Sequence, residues 1–547
     1  MKKYILAVAI FAGLSGFAQE DMSEAWNIRL EHKITRHGTG LEGAGEVSYA
    51  ASDKQITVFN NEDGKVLWSK AFKELAPKLR KIDELIPFWE SNTIFLFEKK
   101  AGKDQIACID LKTGKLLWNT QQYQNLTEDN IVYIKEEDGF AVSLKDKLVF
   151  IKTQTGEEKW STAKFKGVVG KYIYKDGHMV AVNFVPGGLA AMFTGFKNQI
   201  AKINIANGDI IWEQTYVGRA ERKVITREFV FDLDIEGNMV VLKMNGMQTY
   251  DFKTGAKLWA AAFDFTADKM VARPQGTKKF GVYGAVAEPI FVGDDVYVLD
   301  MSSKKSQYLK KYDRNTGKLL WTSAEIKQAR AIPAMSLSGD KIVLQKGGTV
   351  EAQAYIRKKV KQGDAYVWVT ERKVWYPDVK PWGLMAINVA DGSFAWKSER
   401  FKKGISNSFT IDGNAIVTSG KALYSLKVSD GSDNYEIPLK DDGIGRGEKL
   451  EIYKDKAVVI GSKGVATHNI SDGKLIASGK YKKSYLEDYQ GDYIIMKTDK
   501  SDIASFTLPT CTFKRFNAKK GAGTSLSKDG NFVYVYEKKD VTKLKTK

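Results

Sequence analysis

Short apolar or alternating runs recur along almost the whole chain, each closed by a turn rich in Gly, Asp or Asn. Gln55–Phe59, Gln105–Asp110 and Leu148–Lys152 are examples, dense in β-branched and aromatic residues. After each run an Asx/Thr-Gly pair predicts a tight turn, because Gly accepts positive φ and Asp or Asn bonds its own backbone. A second class of turn stands at Lys175-Asp176-Gly177, Ile411-Asp412-Gly413-Asn414 and Lys528-Asp529-Gly530-Asn531, each followed by alternating apolar positions. The pattern predicts many short antiparallel strands.

The turns belong to a repeat. NNEDGKVLW ends at Trp68, DLKTGKLLW at Trp118, KTQTGEEKW at Trp160 and NIANGDIIW at Trp212. DFKTGAKLW, DRNTGKLLW and NVADGSFAW follow, ending at Trp259, Trp321 and Trp396. KVSDGSDNY around Gly431 and NISDGKLIA around Gly473 are degenerate copies. Seven of the nine motif glycines have Trp four residues later, whereas random placement of 12 Trp in 547 residues gives about 0.2. Glycine-to-glycine spacings of 50, 42, 52, 47, 62, 75, 39 and 42 match the length of one four-stranded propeller blade. The Trp ending each outer strand is read as a structural ring filling the gap between adjacent blades.

The D-x-x-T-G-x-x-x-W signature resembles that of quinoprotein-type (PQQ-like) β-propeller repeats. That family includes PQQ-dependent alcohol and glucose dehydrogenases and the propeller lipoprotein of the outer-membrane β-barrel assembly machinery. The resemblance covers most of the chain after residue 18. It implies an all-β fold of four-stranded blades and says little of function, since the motif builds blades rather than a site. Eight blades are usual in the family. Here Asp492 to Phe516 reads as a tenth, degenerate unit. Gly523 to Leu544 supplies three more strands, with Trp26 to Ile34 as the closing strand. The expectation is ten or eleven units, in one large ring or two fused propellers.

Three insertions, at 71–89, 184–198 and 350–382, interrupt the repeat. Ala71 to Leu85 places Phe72, Leu75, Leu79, Ile82 and Leu85 on one helical face, with Pro77 as a candidate true start. Val185 to Phe196 is apolar, either a loop folded on the propeller or one facing a partner or membrane. In the third, residues 355–361 and 366–372 are β-compatible arms about Gly363-Asp364, a type II′ turn whose register follows i + j = 727. Lys361 then opposes Tyr366, Lys359 opposes Trp368 and Tyr355 opposes Arg372 on one basic and aromatic face. Val360 with Val367, Lys358 with Val369 and Ile356 with Glu371 form the other. Tyr355, Arg357, Lys359, Lys361, Tyr366, Trp368 and Arg372 are the candidate surface for an anionic polysaccharide, lipid headgroup or acidic protein. The alternative is a solvated hairpin stabilised by its own pairs.

Charge and the N-terminus place the chain. Met1-Lys2-Lys3, the apolar Tyr4 to Leu14 and Gly16-Phe17-Ala18 read as a signal peptide over 1–18. The propeller then occupies 19–547, exported to the periplasm or secreted. No later run is long enough to span a bilayer. Net charge is +18, or +16 without the leader, favouring a protein or anionic envelope partner, with the chain monomeric or part of an envelope complex. The charge is spread, so nucleic acid is not expected. Four His (His32, His37, His178, His468) are scattered, and Cys108 and Cys511 lie far apart, which argues against a local metal or CxxC centre. The two cysteines are expected to be free thiols on blades that are not neighbours.

Catalytic templates fail. No GxSxG, HExxH or GxxxxGK[ST] pattern occurs. Gly38 to Gly43 matches GxGxxG outside any βαβ context and is read as a loop. Asp232 to Gly237 imitates a calcium loop, but Lys243 stands where a bidentate Glu is required, so Asp234 to Asn238 is read as a turn. Many members resembling the dehydrogenases use adjacent cysteines against the quinone, which Cys108 and Cys511 do not provide. No residue set for PQQ or calcium is assigned. The expected function is a non-catalytic binding or scaffolding propeller of the cell envelope; the alternative is a PQQ-dependent dehydrogenase.

Overall fold

The computed structural model describes residues 20–546 except 41–46, 100–103, 124–125, 127–129, 145, 185–197, 218–231, 244–245, 262–279, 302–305, 363–364, 482–483, 491, 499–501, 509–511 and 528. The described strands build eleven antiparallel blades, each ordered first strand to fourth. They span 36–71, 84–120, 131–162, 168–215, 232–261, 290–322, 334–398, 405–438, 447–480, 484–516 and 523–545. The second and third strands are buried on both faces, as in Val47–Ala51 and Gln105–Asp110. That burial explains their continuous apolar runs. Fourth strands such as Val66–Ala71 are mostly exposed apart from the docking Trp.

Eleven apolar clusters sit one between each neighbouring pair of blades. Val180 and Val182 of blade 4 meet Val240 and Leu242 of blade 5, and Leu299 of blade 6 meets Ile387 of blade 7. Phe59 of blade 1 meets Tyr534 and Val541 of blade 11. Every blade thus shares a core with two neighbours, which makes one closed ring and settles the count at eleven. First strands touch around the axis. The Asn407 amide donates to the Leu450 carbonyl and its oxygen accepts from the Leu450 N–H, both at 2.7 Å. Thr39 and Ser525 hydroxyls meet at 2.5 Å across the seam.

Both chain ends close that seam. Glu24–Arg29 pairs antiparallel with Asp540–Lys545 and is the fourth strand of blade 11. Glu20–Asp21 adds in parallel to Thr512–Phe516 as a fifth strand of blade 10. Between them, Met22 is buried in the cluster joining blades 10 and 11.

Several expectations are corrected. The helix covers only Phe72–Leu75. Pro77 ends it rather than starting it, since a residue before proline is driven from the α region, and Ala76 sits at φ −138°, ψ 76°. Phe72, Leu75, Leu79 and Ile82 are still buried together, while Leu85 belongs to the first strand of blade 2. Gly38 is not in a loop: Arg36–Thr39 is the first strand of blade 1, where Gly38 and Gly40 lie against Trp89. Asp234 stands on the strand Asp232–Glu236, and the turn is confined to Gly237-Asn238. The leader 1–18, the apolar segment 185–196, Gly363-Asp364 and Cys511 lie outside the described residues.

Candidate interaction site

The repeat motif is consumed by blade-to-blade docking. Trp68, Trp118, Trp160, Trp212, Trp259, Trp321 and Trp396 lie on Gly114, Gly156, Gly208, Gly255, Gly317, Gly392 and Gly431 of the following blade. Each indole N–H donates to a carbonyl three residues before that glycine, at 2.7–3.0 Å. At Gly156, φ is +68° and a Cβ would stand 2.5 Å from the Trp118 ring, so both backbone and packing demand glycine. Two docking residues stand outside the seven motif tryptophans. Trp26 of the closing strand lies on Gly64, and Tyr435 lies on Gly473 with its hydroxyl donating to Ile470 O at 3.1 Å. Tyr435 is four residues after Gly431, so its role was signalled by spacing despite the changed ring.

The motif's first residue caps the turn. One Asp110 oxygen accepts from the Thr113 N–H and hydroxyl, both at 2.8 Å; Asp251 with Thr254 and Asp313 with Thr316 repeat the arrangement. The Thr254 N–H holds Asp251 below the ordinary carboxylate range, and the Thr316 hydroxyl does the same for Asp313. A carboxyl depressed in the fold stabilises fully above its unfolded pKa near ~4, and that contribution fades as pH falls through the folded value. The melting-temperature gap between the protein and an Asp251→Asn, Asp313→Asn variant is therefore expected to be widest above about pH 5. It should narrow below about pH 4; thermal melts across pH 3–6 check it, and a gap that widens in acid would refute the capping account.

The inserted hairpin stands apart from the blades. Glu351–Gln362 and Ala365–Trp375 pair continuously from Ala352↔Trp375 to Gln362↔Ala365, each pair summing to 727. The candidate residues take the register expected of them: Lys361 opposite Tyr366, Lys359 opposite Trp368, Arg357 opposite Thr370 and Tyr355 opposite Arg372. Phe280–Tyr283, from the connection between blades 5 and 6, adds to the other side of Glu351–Gln362 as a third strand.

The base is built into the core. Val350, Ala352 and Val379 are buried (3%, 0% and 2% exposed), and the Val350 N–H donates to Pro377 O at 3.0 Å. The Trp382 indole donates to Asp378 at 2.7 Å, and the Asp378 carboxylate sits where a side chain at Gly404 would be. Burial raises the Asp378 carboxyl despite that bond and the nearby Arg446 and Lys380.

Topology starts other long connections from the same face. In an antiparallel blade, connections from second to third strand and from fourth strand to the next blade share one side of the ring. The hairpin is such a connection. The chain leaves the described fold on that side after Phe184, Val217, Ala261 and Met301, within blades 4–6. The chain therefore leaves the repeat at these points, and at the hairpin, from one face of blades 4–7.

The remaining polar chemistry is dispersed. His32 contacts Thr57, His37 stacks on Tyr536, His178 meets the Asp176 carbonyl, and buried His468 lies between Asp442 and Gly473. Among the described residues no three His, Cys, Asp or Glu side chains are grouped to hold a metal ion. Cys108 is free and buried on blade 2, and burial pushes its thiol well above the ordinary value. Residues flanking Cys511 belong to blade 10, with blades 11 and 1 between.

The family model of the outer membrane protein assembly factor BamB matches residues 1–192, 103–215 and 305–488. The chain belongs to this family. No curated protein sequence matches it. Among solved structures, BamB from Moraxella catarrhalis is 11% identical over 82% of this chain and 98% of its own, with a TM-score of 0.31. The computationally designed Ika8 protein is 12% identical over 70% and 97%, at 0.35, and the C-terminal WD40 domain of Sif2 is 10% identical over 76% and 96%, at 0.34. Membership of the BamB family fixes the blade repeat. The hairpin 350–382 falls inside the third matched stretch yet is an addition to the repeat itself. No helix among the described residues is long and apolar enough to cross a membrane.

Proposed function

We propose that the chain is a non-catalytic scaffold of the cell envelope, exported behind the 1–18 leader, that holds an acidic protein or anionic envelope component on its inserted hairpin. The observation that carries this reading is the hairpin itself: two long arms, anchored by a buried base, outside the blades. Its sequence carries Arg357, Lys358, Lys359, Lys361, Arg372 and Lys373 against Glu351, Asp364 and Glu371. Repeat residues are occupied in holding blade to blade, so recognition falls to what departs from the repeat. The family's name, an outer membrane protein assembly factor, supports an envelope location and a protein-handling role.

The test uses the chain without its leader. Lys359→Glu with Lys361→Glu is expected to weaken binding to dextran sulfate and to a Glu-rich peptide by about tenfold or more, without shifting the melt. Added PQQ and calcium are expected to give no dye-linked oxidation of alcohols or sugars. Unchanged binding would remove the hairpin as the site, and turnover with PQQ would replace the scaffold by a quinoprotein oxidoreductase.

A further inference from the structure

We propose that the returning arm of the hairpin, Ala365–Trp375, is a strand-addition site that takes an extended acidic polypeptide segment as a fourth strand of the inserted sheet. The inference rests on the binding role above and gives it a mode. The sheet order places Phe280–Tyr283 at one edge, Glu351–Gln362 in the middle and Ala365–Trp375 at the other edge. Among the described residues no strand pairs with that outer side. Gln362 and Ala365 close a two-residue loop, and such a closing pair exchanges both backbone hydrogen bonds. Alternation from there directs the N–H and C=O of Tyr366, Trp368, Thr370, Arg372 and Val374 away from the partner arm. These five residues offer a ready-made half-ladder.

Among the described residues the outer edges of the blades are blunted and this one is not. Fourth strands of the blades are four to six residues long. Those ending in a docking Trp carry a register shift beside it, as at Leu116/Trp118 and Glu24/Trp26. The returning arm runs eleven residues, and its pairing shows no register shift. Between Ala365 and Thr370 it has no Pro, Gly or charge, the devices by which sheet edges normally avoid pairing. A long, smooth edge on a buried anchor is pre-ordered, which lowers the cost of adding a strand.

Charge selects the occupant. The hairpin carries six cations against three carboxylates, so a second copy would add like charge, whereas an acidic segment complements it. The fold already contains one addition of that kind. Glu20–Asp21 joins the edge of blade 10 with Glu20 opposite Lys514 and Asp21 opposite Arg515, and Asp21 lies 3.6 Å from the Arg515 guanidinium.

The probe is an acetylated eleven-residue peptide alternating Glu with Val and Thr, added to the whole chain without its leader. Binding is expected to slow amide exchange at Tyr366, Trp368, Thr370 and Arg372 at least tenfold. Thr370→Pro removes an outward N–H, which an edge strand tolerates, and is expected to weaken binding at least tenfold; Thr370→Val is expected to bind like the parent. Should the proline variant misfold, exchange in the unaltered protein decides. Peptide binding that is indifferent to Thr370→Pro and protects no outward amide overturns strand addition while leaving the hairpin as a charged surface. Binding of dextran sulfate but not of the peptide does the same. If the parent binds neither, both the addition and the binding role fall.

Discussion

Truncation of Trp118 to Ala is expected to lower the unfolding free energy by about 3–5 kcal/mol, the range for removing a buried aromatic ring. The ring is 8% exposed, meets Phe95 edge-on at a centroid distance of 5.2 Å, and donates to Thr153 O at 2.8 Å. Alanine would leave both a cavity between blades 2 and 3 and an unpaired carbonyl. Gly156→Ala attacks the same contact from the other side, forcing a Cβ into the indole at positive φ. By contrast, Trp368→Ala on the hairpin should lose only a cross-strand contact of about 0.2–1 kcal/mol, with its effect appearing in binding. Chemical denaturation of the three variants separates the two classes. Equal destabilisation at Trp368 would make that residue core and end its claim to recognition.

Deleting residues 20–29 is expected to abolish the closed ring. The deletion removes the fourth strand of blade 11, the Trp26 docking on Gly64 and the Met22 contact between blades 10 and 11. It also strips the outer edge of Asp540–Lys545, exposing an apolar face to water. Losses of that kind together reach the order of the whole stability of a typical fold, about 5–15 kcal/mol. The truncated chain should therefore lose its near-ultraviolet circular dichroism and be cut rapidly by protease. A cooperative melt within a few degrees of the parent would show that the ring closes without its N-terminal strand.

The features legible in the sequence are local ones. Turn chemistry, strand period and the hairpin register involve residues only a few positions apart, so D-x-x-T-G or a two-residue loop carries nearly all the information its geometry needs. The hairpin register of 727 followed from Gly363-Asp364 alone, and the blade fold from glycine-to-tryptophan spacing. The helix expected over Ala71 to Leu85 stops at Leu75 because apolar residues spaced for a helical face also suit a buried irregular segment, and Pro77 decides between them.

Ring size and closure belonged to the tertiary structure. Eight of the eleven blade interfaces use the same Trp-on-glycine contact and a ninth uses Tyr435 on Gly473, a local contact that is indifferent to the number of blades, so no single repeat encodes eleven. The number is fixed by small rotations summed around the ring and by a seam joining residues as distant as Asn27 and Thr542, 515 positions apart. Assignment of Trp26 as a docking residue likewise needed the neighbouring blade in place. So did the edge presented by Ala365–Trp375, because whether a strand has a partner on its far side depends on everything else in the sheet. Local sequence chose the parts; contacts between distant segments chose how many there are and which edge stays open.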